Sequence, residues 1–472
     1  MTVPDDTPSA IGPHTPDPSI LRAYDVRGVV GQTLTSADAR ALAGAFAATV
    51  RREGGDRVAL GYDGRLSSPD LAAAVCEGLR AGGVDVLDIG CGPTPMLYFA
   101  VHHTAAHSGI QVTGSHNPPD HNGLKLMRGL ETLYGDAIQE LGRIAGHGIE
   151  ASPPGRRFPT PVRDAYVARI LADAPTRCGL RVGWDPGNGA TGVVVPDVLA
   201  GLPGQHHTIN AEPDGTFPNH HPDPTVPENL RQLAELVRSR QCDLGFAFDG
   251  DGDRLGVVDR DGRILWGDEI MLLIARDVLT RHPRQPIIAD VKASRVLFDG
   301  IAAAGGDPVM GATGHSLVKA EMQRRGAAFA GEMSAHFFFA DGWYGFDDGL
   351  YAAVRVLEIL ARTGQDLAVF KDSLPAVANT PEIRIPCEAA RKWSTVREIA
   401  QRLKAVDARV TEIDGVRVDT ADGWWLLRAS NTQDVLVARC EGRDAAALQS
   451  LKSDLRDHLE RNDIAIPDVL MP

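Results

Sequence analysis

The sequence predicts an α/β protein: three similar α/β domains with mixed, mainly parallel sheets, followed by a C-terminal α+β domain. Short apolar segments alternate with helical patterns over most of the 472 residues, which is typical of βαβ units. Three of these segments end in the same residue pattern, and beyond about residue 376 strands follow one another directly. These three observations give the fold class and the order of the domains.

The N-terminal residues 1–18 are rich in proline and acidic side chains and contain no apolar stretch. This composition predicts a disordered tail rather than a signal peptide. No apolar run reaches membrane-spanning length. The net charge of −14 disfavours nucleic acid and anionic membranes as partners. The six cysteines form no C-x-x-C pair, which indicates reduced thiols and a cytoplasmic location.

The first domain is expected over residues 19–158. Arg57–Leu60 predicts a strand, and Pro69–Arg80 predicts a helix because a proline stands at its start and two glycines follow its end. Val84–Ile89 and the apolar run Ser108–Val112 predict further strands. This order of elements favours a parallel sheet.

A weak internal repeat supports three related α/β domains. An aromatic residue, an aspartate and then a glycine follow three apolar segments, at Tyr62-Asp63-Gly64, Trp184-Asp185-Pro186-Gly187 and Phe248-Asp249-Gly250. The carboxyl ends of parallel strands are where such domains bind ligands, although a shared tight turn would give the same pattern. We place the second and third domains at residues 159–261 and 262–375.

The C-terminal domain is expected over residues 376–472. Residues 415–420, 423–430 and 434–441 read as short strands, the first two joined as a hairpin. A helix with Leu448, Leu451, Leu455 and Leu459 on one face follows them. This succession is typical of an α+β domain.

The sharpest motif is DGDGDRL, which begins at Asp249. Its glycines allow the backbone to curl, so that Asp249, Asp251 and Asp253 can converge on one hard cation such as Mg²⁺ or Ca²⁺. An EF-hand is excluded because Arg254 and Arg260 occupy the positions that require glycine and glutamate. The alternative is a solvated acidic turn.

The loop TGSHNPPDHNGLKL directly follows a predicted strand. It contains Ser115, His116 and Lys125 and is stiffened by two prolines, which suggests side chains held still for chemistry. It lacks the G-x-S-x-G pattern of a Ser-His-Asp hydrolase. Taken alone, Ser115 and His116 could equally be turn residues.

The segment GEMSAHFFF alternates Glu332, Ser334 and His336, which in an extended strand would share one face. A carboxylate beside a hydroxyl suits hydrogen bonding to neighbouring sugar hydroxyls. An ordinary strand with one polar face is the alternative.

The segment RASNT, Arg428–Thr432, collects a guanidinium, two hydroxyls and an amide within five residues. That density of donors suits a phosphate group. A turn capped by serine and asparagine is the alternative.

These four loops, with LRAYDVRG at 21–28, FPNHHPDP at 217–224 and WYGFDDG at 343–349, resemble the α-D-phosphohexomutase superfamily over nearly the whole chain. Within it they most resemble the bacterial phosphomannomutase/phosphoglucomutase group. The resemblance implies four domains around a central cleft, each contributing one loop.

The resemblance also implies the roles of individual residues. Ser115 would be the phosphorylated serine, with His116 beside it, and Arg27 and Lys125 would be general acids or bases. One Mg²⁺ would be bound by Asp249, Asp251, Asp253 and an oxygen of the serine phosphate. The expected substrate-binding residues are Tyr24, Arg254, Lys292, His315, Glu332, Ser334, His336, Arg428, Ser430, Asn431 and Thr432.

The implied reaction interconverts hexose 1-phosphates and 6-phosphates of mannose and glucose, with a hexose 1,6-bisphosphate as intermediate and activator. A monomer acting on small sugar phosphates is expected. We further expect desolvation and Arg27 to lower the pKa of Lys125. Phosphoglucosamine mutase and metal-dependent phosphatase remain as alternatives. Tyr62, Ala312 and Asp434 depart from the family pattern and put substrate affinity in question.

Overall fold

The computed structural model describes residues 9–405, 409–430 and 434–471, and confirms the predicted fold class. Strands in these residues form five sheets, one in each of the four expected domains and one small two-stranded sheet. No helix in the described ranges is both long and apolar enough to cross a bilayer.

The first domain has helices α1 (Ser36–Arg52), α2 (Ser68–Ala81), α3 (Thr94–His103) and α4 (Asp136–His147). Its strands are β1 (Ser9–Ile11), β2 (Val26–Val29), β3 (Arg57–Tyr62), β4 (Asp85–Cys91), β5 (Ser108–Val112), β6 (His121–Arg128), β7 (Glu131–Thr132), β8 (Ile149–Ser152) and β9 (Arg157–Pro159). The main sheet runs β2-β6-β5-β3-β4-β9, with β7 paired to β6. Strands β3 and β5 are parallel neighbours, so the loops after Tyr62 and Val112 leave the same edge of the sheet.

The expectation of a disordered tail over residues 1–18 is wrong for residues 9–18. β1 pairs antiparallel with β8, and Ile11 is buried in the core of the first domain. A short 3₁₀ helix, Pro18–Ile20, also buries Ile20. The proline content predicted disorder. Burial of these two isoleucines stabilises the folded segment, and composition does not show which residues will be buried. Residues 1–8 lie outside the described ranges.

The second domain has helices α5 (Arg163–Leu171), α6 (Val195–Gly201) and α7 (Arg231–Arg240). Its strands are β10 (Arg181–Asp185), β11 (Gln205–Thr208), β12 (Leu244–Phe248), β13 (Leu255–Asp259) and β14 (Ile264–Leu265), in the sheet order β11-β10-β12-β13-β14. β12 and β13 are antiparallel neighbours, so residues 249–254 form the loop that joins them.

The third domain has helices α8 (Gly267–Arg281), α9 (Arg295–Ala303), α10 (His315–Arg325), α11 (Gly349–Thr363) and α12 (Leu367–Ser373). Its strands are β15 (Pro286–Asp290), β16 (Asp307–Gly311), β17 (Phe329–Gly331) and β18 (Phe337–Phe339), in the sheet order β16-β15-β17-β18. One hydrophobic core runs from α3 of the first domain through the second and third domains. This shared core fixes α3 against the sheet that carries the aspartate loop.

The fourth domain has helices α13 (Ala389–Ala405) and α14 (Ala445–Glu460). Its strands are β19 (Ala378–Asn379), β20 (Ile383–Pro386), β21 (Val410–Thr411), β22 (Val416–Asp419), β23 (Gly423–Ala429) and β24 (Val435–Gly442). The predicted hairpin is confirmed as β22 and β23, and Leu451, Leu455 and Leu459 of α14 are buried as expected. Domain boundaries near residues 158, 261 and 375 remain our proposal; the first falls within β9.

Candidate active site

Ser115 lies three residues beyond the carboxyl end of β5, and its exposed fraction is 3%. Its φ of 47° is in the left-handed region, which is strained for a residue with a side chain. The hydroxyl donates to Asp249 Oδ2 at 2.8 Å and lies 3.2 Å from His116 Nδ1. Since the single hydroxyl proton goes to Asp249, the Nδ1–H of His116 donates to Ser115 Oγ.

Arg65, which sequence reasoning missed, fixes the backbone of the serine loop. Its buried guanidinium donates to the carbonyl oxygens of Ser115 at 2.8 Å, Asn117 at 2.6 Å, Pro118 at 2.5 Å and His121 at 3.0 Å. Such a rigid fork of donors can bind several carbonyls at once. It thereby holds the strained conformation at Ser115 in place.

Asp63 orients this arginine and the start of the loop. Its Oδ2 accepts the Thr113 hydroxyl at 2.8 Å and the Gly114 N–H at 3.0 Å. Its Oδ1 accepts the backbone N–H of Arg65 at 3.0 Å and the Ser68 hydroxyl at 2.5 Å. Asp63 belongs to the repeat of an aromatic residue, an aspartate and a glycine at strand ends, but sequence reasoning assigned no role to Asp63 or Arg65.

The aspartate loop curls as the sequence predicts. Asp249 Oδ1 accepts the backbone N–H groups of Gly252, Asp253 and Arg254 at 3.0–3.2 Å, and Gly252 has a φ of 77°. Asp249, Asp251 and Asp253 are fully buried, and one carboxylate oxygen from each lies within 4.8 Å of the others.

The oxygens of this cluster fit a bound cation. Among the described residues, Asp251 Oδ1 and Asp253 Oδ1 are buried without a hydrogen-bond partner, a costly state for a carboxylate. Burial and the charges of Asp253 and Asp251 raise the pKa of Asp249 well above its usual value. A hard divalent ion would relieve both penalties, because it prefers oxygen ligands and offsets their mutual repulsion.

Lys125 differs from its predicted state. Its ammonium group donates to Asp251 Oδ2 at 2.7 Å and also to Asp253 Oδ2. Burial opposes the charge of Lys125, but the carboxylates of Asp251 and Asp253 outweigh burial and raise the Lys125 pKa well above its usual value. The expected net lowering of this pKa by desolvation and Arg27 is therefore wrong for the described geometry, although burial acts in the expected direction.

Arg27 and His116 complete the surroundings of the serine. Arg27 donates to the Gly114 carbonyl at 2.7 Å and pairs with Asp25. Burial, followed by the positive charges of Arg254 and Arg27, lowers the pKa of His116 well below its usual value. His116 is therefore a neutral imidazole at neutral pH.

The segment containing Glu332, Ser334 and His336 is a turn and not the extended strand we predicted. The Ala335 N–H donates to the Glu332 carbonyl and the Glu332 N–H to the His336 carbonyl, both at 2.9 Å, and Ala335 has a φ of 71°. The prediction failed because the alternating pattern did not reveal the turn between β17 and β18. Glu332 and His336 are buried, and Ser334 is partly exposed.

His336 orients Arg254 beside the aspartate loop. Its Nε2 accepts from Arg254 Nε at 3.0 Å, so its Nδ1–H must donate to Asp347 Oδ2, which lies at 2.9 Å. This pair of bonds fixes one neutral tautomer of His336. The WYGFDDG motif thus contributes Asp347, a supporting residue that sequence reasoning did not assign.

Tyr24, His315 and Glu332 meet at one segment of the third domain. The Tyr24 hydroxyl donates to the Thr313 carbonyl at 2.7 Å, and its ring centroid lies 6.4 Å from that of His315. The Gly314 N–H donates to Glu332 Oε1 at 2.5 Å. The structure therefore brings these predicted residues together across the first and third domains.

Lys292 and Arg428 both have carboxylate partners. Lys292 Nζ lies 3.2 Å from Glu382 Oε2, and Arg428 Nε donates to Asp414 Oδ2 at 2.8 Å. The same Asp414 oxygen accepts the Thr313 N–H at 3.0 Å, which joins the third and fourth domains.

Two of the predicted phosphate-loop residues, Asn431 and Thr432, lie outside the described residues. Ser430 is buried, and its N–H donates to the Val435 carbonyl at 3.0 Å. Asp434, the unfavourable departure from the family pattern, has a side chain that is 65% exposed and lies 3.3 Å from Lys392 Nζ. The Asp434 carboxylate therefore contacts solvent and lies beside the Lys392 ammonium group.

The chain has three α/β domains, one α+β domain and a buried serine that faces three carboxylates. This combination is the architecture of the α-D-phosphohexomutases. Sequence-family models agree over nearly the whole chain. Alpha/beta/alpha domains I, II and III of phosphoglucomutase/phosphomannomutase match residues 18–168, 164–262 and 266–377, and the C-terminal domain matches 382–458.

Individual relatives cover similar lengths. A phosphomannomutase/phosphoglucomutase of Pseudomonas aeruginosa is 42% identical over 95% of this chain and 97% of its own length. A phosphoglucomutase of Neisseria gonorrhoeae is 42% identical over 94% and 97%. A solved phosphoglucomutase/phosphomannomutase family structure from Burkholderia thailandensis superposes with a TM-score of 0.88 at 43% identity, covering 94% and 98%. The chain therefore belongs to the phosphoglucomutase/phosphomannomutase family of isomerases.

Proposed function

We propose that the chain interconverts hexose 1-phosphates and hexose 6-phosphates of both glucose and mannose by passing a phosphoryl group through Ser115. Family membership supports the reaction class. The observation that supports this site is the hydroxyl of Ser115, 2.8 Å from Asp249 and within the carboxylate cluster. A phosphoryl group on that oxygen would lie beside the position that a hard cation fits.

In the first half-reaction, the phosphoryl group leaves Ser115 Oγ and bonds to the free hydroxyl oxygen of the bound sugar phosphate. Transfer requires in-line positioning and neutralised charge more than covalent assistance. Arg65 fixes the serine loop, while Arg254 and Lys125 supply positive charge next to it. A bound Mg²⁺ would be held by Asp249, Asp251 and Asp253 and would add charge neutralisation at the serine phosphate.

The product of this half-reaction is a hexose 1,6-bisphosphate. We propose that it turns over in the cleft and returns the other phosphoryl group to Ser115, which regenerates the enzyme. The same bisphosphate would restore a dephosphorylated enzyme, and so act as an activator. Each cycle conserves phosphate, since one P–O bond forms for each that breaks.

Proton transfer accompanies both halves. The accepting sugar hydroxyl must lose a proton, and Ser115 Oγ must be protonated or bound to a cation after the phosphoryl group departs. We assign general acid/base roles to Arg27 and Lys125 from the family resemblance. In the described geometry Lys125 is an ammonium group, which suits donation rather than proton abstraction.

The remaining predicted residues would hold the sugar and its second phosphate. Glu332 and Ser334 would accept and donate hydrogen bonds to sugar hydroxyls, with Tyr24, His315, Lys292 and His336 around them. Arg428, Ser430, Asn431 and Thr432 would bind the phosphate that is not reacting. We expect a cytoplasmic monomer.

The two alternatives differ in their products. A metal-dependent phosphatase would pass the serine phosphate to water and would need neither Glu332 nor Arg428 in place. Both side chains are buried and anchored by neighbours, which favours a site built to hold a sugar phosphate. Phosphoglucosamine mutase would share the chemistry but prefer an amino sugar.

We expect glucose 1-phosphate and mannose 1-phosphate both to be substrates. They differ only at C2, and the bisphosphate must bind in two orientations related by a flip. Hydroxyls at C3 and C4 lie near the axis of that flip, so Glu332 and Ser334 can hold them in both orientations, whereas the C2 hydroxyl moves. The site should therefore discriminate at C2 by less than about 10³-fold.

Measuring kcat/KM for glucose 1-phosphate, mannose 1-phosphate and glucosamine 1-phosphate, with inorganic phosphate assayed in parallel, tests this proposal. A preference beyond about 10³-fold for either neutral sugar would indicate a dedicated C2 contact. A preference for glucosamine 1-phosphate would select the amino-sugar mutase. Stoichiometric release of inorganic phosphate would select the phosphatase.

A further inference from the structure

Thr94, the first residue of α3, makes two hydrogen bonds to the central aspartate of the carboxylate cluster. Its hydroxyl donates to Asp251 Oδ2 at 2.5 Å, and its backbone N–H donates to the Asp251 carbonyl oxygen at 2.8 Å. Thr94 is fully buried and belongs to the first domain, whereas Asp251 belongs to the second. One residue thus anchors both the main chain and the side chain of Asp251 from outside its own loop.

We infer that Thr94 is a positioning residue that sets the affinity of the carboxylate cluster for Mg²⁺; this inference rests on the metal centre of the proposed function. Asp251 Oδ2 receives two donors, the Thr94 hydroxyl and, at 2.7 Å, Lys125 Nζ. Asp251 Oδ1 is left buried and without a hydrogen-bond partner among the described residues. The terminal torsion of an aspartate is broad, so donors on one oxygen decide where the other points.

Thr94 is suited to this role because its own position is rigid. Pro93 and Pro95 flank it, and α3 packs into the core shared with the second domain. The N-terminus of α3 carries a partial positive charge that favours the Asp251 carboxylate in the ionised form a metal requires. Lys125 divides its donors between Asp251 and Asp253, whereas the Thr94 hydroxyl donates to Asp251.

Removing the Thr94 hydroxyl while keeping its shape tests this role. In Thr94→Val, Asp251 Oδ2 retains Lys125 alone, and Mg²⁺ affinity should fall by about 10–100-fold, as for other residues that orient metal ligands. Thr94→Ser restores the hydroxyl and should bind Mg²⁺ like the wild type. Thr104→Val is the matched control, because the Thr104 hydroxyl bonds to the Ala100 carbonyl at the opposite end of the same helix.

The measurement is calorimetric titration of the full-length, dephosphorylated protein with Mg²⁺ alone, together with the rise in melting temperature that Mg²⁺ produces. Thr94→Ala serves as a second variant if Thr94→Val does not fold. Weaker binding by these variants, with normal binding by Thr94→Ser and Thr104→Val, supports the inference.

Other outcomes separate this inference from the proposed function. Wild-type affinity in Thr94→Val or Thr94→Ala overturns the role of Thr94 and leaves the mutase proposal intact. Equal weakening in Thr104→Val also overturns it, because the effect would then be general to α3. Absence of Mg²⁺ binding by the wild type contradicts the metal centre and overturns both.

Discussion

Replacing Ser115 with alanine is expected to abolish mutase activity, with kcat falling by more than about 10⁴-fold. The variant would lose the oxygen that we propose carries the phosphoryl group between the two positions of the sugar. Substrate and Mg²⁺ should still bind. The measurement is a coupled assay of glucose 6-phosphate formation from glucose 1-phosphate, with glucose 1,6-bisphosphate present.

The backbone at Ser115 calls for a second variant as control. At a φ of 47° alanine is strained, so displacement of the loop would also lower the activity of Ser115→Ala. Glycine adopts this conformation freely, and Ser115→Gly should therefore lose activity to the same extent. Substantial activity in Ser115→Gly would show that Ser115 is a structural residue and not the phosphoryl carrier.

Replacing Asp251 with asparagine is expected to lower Mg²⁺-dependent turnover by about 10²-fold or more. The change keeps the shape of the side chain but removes one of three carboxylates within a buried cluster. It also leaves Lys125 facing one carboxylate, Asp253, in place of two. The rate is measured as a function of Mg²⁺ concentration up to saturation.

Asp261→Asn is the matched control for this charge change. Asp261 lies in the turn after β13, and its side chain is 59% exposed. Its replacement should leave both kcat and the Mg²⁺ requirement unchanged. If Asp251→Asn instead reached the wild-type rate at saturating Mg²⁺, the DGDGD segment would be a turn without a catalytic metal.

The sequence was sufficient for the parts of the fold that depend on local patterns. Ser108–Val112 is the strand predicted, and the α2 helix extends the predicted one by a single residue at each end. These segments are recognisable because periodicity, proline and glycine act within a few residues of one another. The convergence of Asp249, Asp251 and Asp253 was predictable for the same reason.

Features that depend on distant contacts were not predictable. Residues 9–18 are ordered because Ile11 and Ile20 enter a core formed by residues much later in the chain. The role of Arg65 depends on carbonyl groups 50 to 56 positions away. The high pKa of Lys125 depends on two aspartates of another domain, whereas sequence reasoning had considered only desolvation and Arg27.

The resemblance assigned roles to individual residues but gave no information on their surroundings. His336 was assigned to substrate binding, and the structure shows that both of its ring nitrogens have protein partners, Arg254 and Asp347. Its expected contact with substrate would therefore be made at the expense of one of these bonds. The alternation of Glu332, Ser334 and His336 predicted a strand, because a tight turn of this type carries no glycine at its left-handed position, Ala335.

The most direct test of the central claim is to locate the phosphoryl group. The purified protein, first treated with phosphatase, would be incubated with Mg²⁺ and glucose 1,6-bisphosphate and then analysed by intact-mass measurement and phosphopeptide mapping. We expect one added phosphoryl group, on the peptide that contains Ser115. Phosphate on another serine, with Ser115 unmodified in a fully active enzyme, would contradict it.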